Sequence, residues 1–384
     1  SVEILKDSLR PLQGPDLTRG EFTCQLAPVA KDGTRYEAAD AVPSDFPLPT
    51  TSAGVQTVGA TTTNGQYAAS GSPVNNIYFG SLTFDAAHIG HTYTYEIKEV
   101  VPTGEDKLGG VTYDNTTKTV TIEVTEDTTG DNPVVKATVK GTDGAELNTY
   151  PYYTFANEYK PASVTITGDT AITVQKTLTG RDWLDNETYE FTIANTQRPD
   201  GVTAPIPADE SIEIGKPAQG AVNTGAFADM TFDQAGTYVY SITETSADKA
   251  GVKMDKHTAT VTVEVTDNLN GQLVAAVTYD NSAALTDADK AATALAAFTN
   301  VYSATGSTAA DDLSVTKILT GREWLATDPT DEFEFTLQID EDHEPTVAAL
   351  DEGSIVLPQT TSLKIGTYTE KTRSFGNITF TKPG

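Results

Sequence analysis

The string VQKTLTGRDW at residues 174–183 alternates apolar and polar side chains as a β-strand does, yet it carries a lysine on its apolar face. Val174, Lys176 and Leu178 share one parity, so their side chains point to the same face of a strand. If that face is the core, the Lys176 ammonium group is buried. Burial of a charge is costly unless the amine is neutral, paired or consumed by a reaction.

Similar strings recur along the chain, which identifies internal repeats. The openings are LRPLQGPDLTRGEFTCQL from Leu9, VQKTLTGRDWLDNETYEFTI from Val174 and VTKILTGREWLATDPTDEFEFTL from Val315. Each is followed by a second shared piece: FGSLTF (79–84), FADMTF (227–232) and FGNITF (375–380). The first two repeats also share a strand ending in Glu (92–99 and 237–244), a strand after a Gly-Val turn, and a closing strand (153–159 and 296–302).

The repeats predict three domains, which we call repeat 1 (1–160), repeat 2 (161–303) and repeat 3 (304–384). Short alternating segments separated by Gly, Asn and Asp turns predict an all-β fold of tandem Ig-like β-sandwiches. The last residue of repeat 3 aligns with Gly236 of repeat 2, so we expect the third domain to be incomplete and the chain to be a piece of a longer protein. An Ala-rich segment at 286–298 predicts a short helix, and the Ser/Thr/Gly-rich region 49–73 predicts elaborated loops.

Composition argues against several kinds of partner and against membrane insertion. The net charge of −29 disfavours nucleic acid and anionic lipid as partners. No run of about 18 apolar residues is present, so we expect no membrane insertion in this segment. The single cysteine, Cys24, excludes an internal disulfide and falls on the apolar face of a strand, which predicts a core position.

Known sequence motifs of turnover enzymes are absent, and no cofactor is predicted. The four histidines are scattered through the sequence, and we interpret them as solvated turn residues rather than metal ligands: His88, His91, His257 and His343. We therefore expect a protein that is not an enzyme in the ordinary sense and that has no metal site.

In repeat 2, three polar residues fall on apolar strand faces: Lys176 on the first strand, Glu244 on a middle strand and Asn300 on the last. Desolvation lowers the pKa of a lysine and raises that of a glutamic acid, and a neutral amine is a nucleophile. Held together in a dry core, the amine can attack the carboxamide and expel ammonia, with Glu244 as the assisting acid. The residues alone leave an alternative open, in which Lys176 and Glu244 form an ordinary buried ion pair and Asn300 is a turn residue.

The string K-x-L-x-G-R, the strand Y-x-Y-x-I-x-E and the closing F-x-N-x-Y resemble the pilin isopeptide-linkage repeat of Gram-positive surface proteins. This CnaB-like family occurs in streptococcal-type backbone pilins and in cell-wall-anchored adhesins. The resemblance implies Ig-like domains whose first and last strands are joined by a self-formed Lys–Asn isopeptide bond. In this sequence the bond is implied between Lys176 and Asn300, with Glu244 assisting.

The other repeats depart from this pattern. Repeat 1 keeps Glu99 and Asn157, but the ungapped alignment places Arg10 where the lysine belongs, and arginine stays protonated. Lys6 has the right parity but lies four residues upstream, so it serves as nucleophile only if the strand slips or bulges. The competing interpretation is an Arg10–Glu99 ion pair with the bond lost, which we prefer. In repeat 3, Lys317 is in place but has no partners within the chain.

The resemblance implies a structural stalk or shaft on the outside of a Gram-positive cell, anchored to the cell wall through a sorting signal outside this segment. Two alternatives remain open. One is a ligand-binding adhesin that contacts a host protein or glycan through region 49–73 of repeat 1. The other is a pilin subunit that is polymerised by a sortase and has other pilin subunits as partners.

Overall fold

The computed structural model describes residues 1–10, 15–67 and 73–381. Within this part of the chain nearly all regular structure is β-strand, and the strands of repeats 1 and 2 form facing sheets. The predicted all-β fold of tandem β-sandwiches is therefore confirmed.

Repeat 1 is a sandwich of one large and one small sheet. The large sheet has the order β11-β10-β8-β2-β3, with β6 also paired to β2, and the small sheet has the order β12-β1-β7. Strands β1 and β12 run parallel, which brings the first and last strands of these two sheets side by side. Its strands are β1 (Val2–Leu5), β2 (Thr23–Lys31), β3 (Thr34–Arg35), β4 (Thr50–Thr51), β5 (Gly54–Val55), β6 (Thr61–Thr63), β7 (Asn76–Ile77), β8 (Thr92–Glu99), β9 (Val111–Thr112), β10 (Thr117–Asp127), β11 (Val134–Lys140), β12 (Thr154–Ala156) and β13 (Glu158–Tyr159).

The core of repeat 1 lies between these two sheets. Alternate residues of β8 and β10 are buried, as the period of two in a strand requires. Tyr95 of β8 and Ile4 of β1 belong to this core, together with Cys24 of β2. The core position predicted for Cys24 is confirmed, and burial raises the pKa of its thiol.

Region 49–73 of repeat 1 is tied to the sandwich in its described part. Strands β4 and β5 form a hairpin, and β6 pairs with β2. The buried Asn64 side chain accepts from the Phe22 N–H and donates to the carbonyls of Thr18 and Val74. Residues 68–72 of the predicted loop region lie outside the described residues.

Repeat 2 is a more regular sandwich. A sheet with the order β18-β15-β24-β21 faces one with the order β17-β16-β20-β22-β23. Strands β15 and β24, the equivalents of β1 and β12, again run parallel. The strands are β14 (Val164–Ile166), β15 (Thr173–Thr179), β16 (Thr188–Gln197), β17 (Ser211–Gly215), β18 (Val222–Ala226), β19 (Met230–Phe232), β20 (Gly236–Glu244), β21 (Val252–Lys253), β22 (Thr258–Asp267), β23 (Leu273–Asp280) and β24 (Ala296–Tyr302).

Repeat 3 forms smaller sheets in its described residues. Their orders are β25-β31-β28, β26-β30 and β27-β29. A small core of Leu363, Ile365 and Phe375 packs against Trp324 and Phe335. The strands are β25 (Gly306–Ser307), β26 (Ser314–Thr316), β27 (Glu332–Thr336), β28 (Ile355–Val356), β29 (Ser362–Gly366), β30 (Thr372–Ser374) and β31 (Thr379–Phe380).

The helix predicted at 286–298 is much shorter than expected. Helix α1 spans Asp287–Lys290, and the Thr286 hydroxyl caps it by accepting from the Asp289 N–H. Strand β24 begins at Ala296, because pairing with β15 in the core outweighs the helix propensity of alanine. The other helical segments are α2 (Glu344–Asp351) and the 3₁₀ turns Ala39–Ala41, Ala86–His88, Gly104–Asp106 and Gly168–Thr170.

The chain packs as two compact units. The first comprises Ser1–Val164, Phe232–Ala235 and Val265–Val274. The second comprises Thr165–Thr231, Gly236–Glu264 and Ala275–Gly384. The finer division into domains at 1–160, 161–303 and 304–384 stays a prediction.

Candidate functional site

The parallel pair of β15 and β24 places Lys176 and Asn300 in the core of repeat 2. In the register of these strands Lys176 lies opposite Phe298, and Leu178 lies opposite Asn300. The lysine and the asparagine are therefore diagonal neighbours on one face of the sheet. Both residues are fully buried.

Glu244 reaches this pair from the facing sheet, where it is the last residue of β20. One carboxylate oxygen, Oε2, accepts from Lys176 Nζ over 2.7 Å, and the other, Oε1, accepts from Asn300 Nδ2 over 2.8 Å. The Glu244 side chain is 1% exposed, so water does not compete for either bond. The structure thus brings together the three residues that the sequence singled out in repeat 2.

The surroundings of Lys176 act on its charge in opposite directions. Burial lowers the pKa of its ammonium group to about 8, although the Glu244 carboxylate acts in the opposite direction. The ring centroids of Tyr189 and Phe191 lie 4.7 and 6.0 Å from Nζ. About a tenth of the amine is therefore neutral and nucleophilic at pH 7.

The carboxamide of Asn300 is held at both ends. Its Oδ1 accepts from the Asp255 N–H over 2.7 Å, while Nδ2 donates to Glu244 and lies 3.3 Å from the Met254 sulfur. A hydrogen-bond donor on the carbonyl oxygen polarises the carbonyl group toward a nucleophile. Sequence reasoning missed Asp255. The available signal was the aspartate that both GVTYD (110–114) and GVKMD (251–255) carry.

The Gly-Arg pair that follows Lys176 in the opening string has a structural role. Gly180 has a φ of 86°, and a Cβ at this position would collide with the Tyr302 carbonyl. Arg181 binds both carboxylate oxygens of Glu187, at 2.9 Å each, and its guanidinium lies over the Tyr302 ring. Arg322 of repeat 3 binds Asp331 in the same bidentate way. The string therefore combines a buried lysine with a turn that anchors the strand end.

Repeat 1 contains the same carboxylate and carboxamide. Asn157 Nδ2 donates to Glu99 Oε1 over 3.2 Å, and Asn157 Oδ1 accepts from the Asp114 N–H over 2.7 Å. Both Glu99 and Asn157 are buried. Burial raises the pKa of the Glu99 carboxyl group to about 7, so much of it is protonated at neutral pH.

The register of the parallel strands corrects the alignment of repeat 1 at the lysine position. Ile4 lies opposite Phe155, two residues before Asn157, as Lys176 lies opposite Phe298, two residues before Asn300. The equivalent of the lysine is therefore Ile4, which is fully buried, and not Arg10.

Lys6 and Arg10 both find partners away from Glu99. Lys6 forms an ion pair with Glu21, and Arg10 pairs with Asp7 and donates to the Tyr159 carbonyl. The Arg10–Glu99 ion pair considered from the sequence is not formed, because Arg10 lies beyond the end of β1. The slipped strand that Lys6 required is not formed either.

Lys317 of repeat 3 has an aromatic neighbour like that of Lys176. Its Nζ lies 4.2 Å from the ring centroid of Phe333, and its N–H donates to the Lys371 carbonyl. Phe333 occupies the place in β27 that Tyr189 occupies in β16, because each follows the opening string at the start of the next long strand. No hydrogen bond to a carboxylate or carboxamide is described for Lys317 Nζ among residues 73–381.

Metal-binding groups and membrane-spanning helices are absent from the described part of the chain. It holds no group of three or more His, Cys, Asp or Glu side chains that could bind a metal ion. None of its helices is long and apolar enough to cross a membrane. One of the four histidines contradicts the expectation of a solvated turn: His257 is buried beside Asp255.

The comparison with protein families gives one match that covers most of the chain. The FctA family model, described as a Spy0128-like isopeptide containing domain, matches residues 11–160, 172–303 and 313–384. The three matched segments correspond to the three repeats. A comparison with curated proteins finds no match.

Solved structures of pilus proteins are similar to this chain at low sequence identity. The major pilin of Streptococcus pyogenes is 17% identical, with 79% of this chain and 96% of that chain covered and a TM-score of 0.24. The major pilin T-13 of the same organism is 16% identical, with coverages of 78% and 96% and a TM-score of 0.22. The pilus adhesin SpaC from Lactobacillus rhamnosus GG is 13% identical, with coverages of 78% and 31% and a TM-score of 0.17.

Proposed function

The chain belongs to the FctA family of Spy0128-like isopeptide-containing domains, and on that premise we propose that it is a shaft segment of a Gram-positive pilus or surface adhesin, cross-linked by a self-formed bond between Lys176 and Asn300. The observation that carries the proposal is the buried Glu244 carboxylate, whose two oxygens bind the lysine amine and the asparagine amide. This arrangement joins the first and last strands of one sandwich through their side chains.

The reaction uses only groups within the core of repeat 2. Lys176 passes a proton to Glu244, and the neutral amine attacks Cγ of Asn300. Glu244 delivers this proton to Nδ2, which leaves as ammonia. Glu244 then takes the second proton, which Nζ gives up as the amide between Nζ and Cγ forms, and ends protonated. The site reacts once and consumes its own nucleophile, so the protein is structural and has no turnover.

The bond would stabilise a domain that contains no cysteine and therefore no disulfide. It closes the loop from residue 176 to residue 300, and on the loop-entropy model this restrains the unfolded chain by about 5 kcal/mol. Force that enters at β15 and leaves at β24 passes through the covalent tie and bypasses the hydrogen bonds of the sheet. Such a property suits a shaft that carries tension.

We propose the outer surface of a Gram-positive cell as the location, with anchoring to the cell wall through a sorting signal outside this segment. Other pilin subunits are the proposed partners, in keeping with the family. The ligand-binding alternative depends on region 49–73, of which residues 68–72 lie outside the described residues, and it stays a prediction.

Intact-mass measurement tests the cross-link. The purified chain should be lighter than its sequence mass by one ammonia, and a protease digest should yield a branched peptide that contains Lys176 and Asn300. Lys176→Ala and Glu244→Ala should each restore the sequence mass. Lys216→Ala, which changes an exposed lysine of the same repeat, is the matched control and should keep the loss. A wild-type chain at full sequence mass would refute the proposed bond.

A further inference from the structure

Asp255 contacts the reacting strand through both its backbone and its side chain. Its N–H donates to Asn300 Oδ1 over 2.7 Å, and its Oδ2 accepts from the Thr299 N–H over 3.4 Å. Asp255 is 2% exposed. The segment before β22 is therefore tied to β24 at the residue that carries the carboxamide and at the residue before it.

The Asp255 carboxylate is itself held by several donors. Oδ1 accepts from His257 Nδ1 over 2.8 Å, in the tautomer with a proton on Nδ1, and Oδ2 accepts from the Leu285 N–H over 3.2 Å. The His257 ring packs on the Phe298 ring, with 4.3 Å between centroids and 30° between planes. Burial acts to raise the pKa of Asp255, but the hydrogen bonds from His257 and Leu285 lower it overall, so the carboxylate stays ionised. These contacts leave the Asp255 N–H little freedom to turn away.

Repeat 1 has the same arrangement without a lysine. The Asp114 N–H donates to Asn157 Oδ1 over 2.7 Å, and Asp114 Oδ2 accepts from the Ala156 N–H over 3.0 Å. The place of His257 is taken by Thr116, whose hydroxyl donates to Asp114 Oδ1 over 2.6 Å. Because the donor recurs where Ile4 replaces the nucleophile, it belongs to the fold and is in place before any reaction.

We propose that the Asp255 N–H is the oxyanion donor of the cross-linking reaction and that the Asp255 carboxylate and the His257 ring position it. The inference rests on the proposed bond between Lys176 and Asn300. As Nζ forms its bond to Cγ, the carbonyl π pair moves to Oδ1, and the Asp255 N–H stabilises the charge that develops there. When the carbonyl re-forms, the Cγ–Nδ2 bond breaks, and Nδ2 leaves as ammonia with the proton that Glu244 took from Nζ. Glu244 then takes the second proton that Nζ gives up as it becomes the amide nitrogen.

Replacing the aspartate at position 255 by malic acid during cell-free translation tests the donor directly. The change turns the backbone N–H into an ester oxygen and leaves the carboxylate side chain in place. The rate of ammonia loss, followed by intact mass after synthesis, should fall about 100-fold, the usual effect of removing one oxyanion donor. Cross-linking at the wild-type rate in this variant overturns the proposal.

A matched pair of variants at His257 tests whether this side chain positions the Asp255 N–H. The same pair tests the proposal if the ester variant fails to fold. His257→Thr restores the hydroxyl that repeat 1 uses, while His257→Val has the same shape without the hydroxyl. The valine variant should cross-link about tenfold more slowly than the wild type, and the threonine variant should recover within about twofold of the wild-type rate. Equal rates for the two variants contradict the proposal.

His257 could also affect the rate only by stabilising the fold. The stability of protein that cannot cross-link separates this structural role from a positioning role. Both His257 variants are placed in an Asn300→Ala background, which cannot cross-link, and their unfolding free energies are compared. If His257 positions the donor, the two variants should differ more in cross-linking rate than their difference in unfolding free energy accounts for. Changes in rate that are proportional to the changes in stability contradict the positioning role. The wild-type chain is the control for the underlying reaction: if it loses no ammonia, the proposed function fails, whereas normal wild-type loss with unaffected variants defeats this inference alone.

Discussion

Repeats 1 and 2 build the same polar cradle in their cores and differ in the residue that faces it. In each, a buried glutamate binds an asparagine, Asn300 within β24 or Asn157 directly after β12, and an aspartate N–H binds the asparagine carbonyl. These three groups form what we call the polar cradle. The residue of the first strand that faces these groups is Lys176 in repeat 2 and Ile4 in repeat 1, at the same register position. The two cores therefore differ by one side chain, an amine beside the carboxamide in repeat 2 and a hydrocarbon in repeat 1.

The replacement of lysine by isoleucine changes the hydrogen bonding of the buried glutamate. Both oxygens of Glu244 have donors, whereas Oε2 of Glu99 has none among the described residues. Without a cationic neighbour, Glu99 has its pKa raised by burial to about 7. The cradle is thus formed by strand pairing and does not depend on the lysine, and the nucleophile satisfies an acceptor that the fold already provides.

The largest effect we expect is the loss of stability when repeat 2 is made like repeat 1. Lys176→Met removes the nucleophile of the proposed bond and keeps an unbranched, buried side chain, so the bond between 176 and 300 should not form. The free energy of unfolding of repeat 2 should fall by about 5 kcal/mol. Urea unfolding followed by the fluorescence of Trp183, in a Trp324→Phe background, measures it.

The matched control is Ile4→Met at the equivalent position of repeat 1. No covalent bond is at stake there, so the cost should stay below about 1.5 kcal/mol, as for other volume-conserving swaps. Protection of the buried Cys24 against a pulse of thiol reagent reports the unfolding of repeat 1. Equal costs in the two repeats would show that the position matters only for packing.

The next largest effect is the pH dependence of stability that Glu99, which forms no ion pair with a lysine or arginine among the described residues, gives to repeat 1. Its pKa is raised from 4.5 in the unfolded chain to about 7 in the fold, so the folded state binds the extra proton between these values. The contribution to stability is complete below pH 4.5 and is lost as the pH rises through 7, by about 3 kcal/mol in all.

Glu99→Gln should remove this component, so the difference in unfolding free energy between wild type and variant should change by that amount from pH 4.5 to pH 7.5. Urea titrations read by Cys24 protection, with a thiol reagent active over the whole range, supply the measurement. A difference that does not vary with pH would mean that folding does not raise the pKa of Glu99.

The smallest expected change in stability comes from converting repeat 1 into a second cross-linking domain. Ile4→Lys places an amine opposite Phe155, facing Glu99 Oε2 and the carboxamide of Asn157. The chain should then lose two ammonia molecules instead of one. Because the new bond gains about 5 kcal/mol and the lost isoleucine burial costs about 3, repeat 1 should become more stable by about 2 kcal/mol.

The double variant Ile4→Lys with Glu99→Gln is the control for this gain, since it keeps the amine and lacks the assisting acid. It should lose one ammonia only, from repeat 2. If the single Ile4→Lys variant also loses only one, the two cradles are not equivalent, and a feature other than the lysine sets repeat 2 apart.

The sequence by itself determined the fold class and the identity of the polar residues in repeat 2. The period of two assigned Lys176, Glu244 and Asn300 to inward faces, and recurrence of the same strings gave the repeats. These inferences succeed because the direction of a side chain along a strand is a local property, fixed by the alternation of the backbone.

Only the tertiary structure decided which residue of repeat 1 faces the cradle and where the carbonyl donor comes from. Parity is shared by every second residue, so it could not separate Ile4 from Lys6 or Arg10, and the ungapped alignment chose Arg10. Register is fixed by pairing between β1 and β12, which lie about 150 residues apart, and by the core that both strands must fill. The donor at Asp255 is a backbone N–H, which every residue but proline possesses, so its position and not its chemistry makes it special.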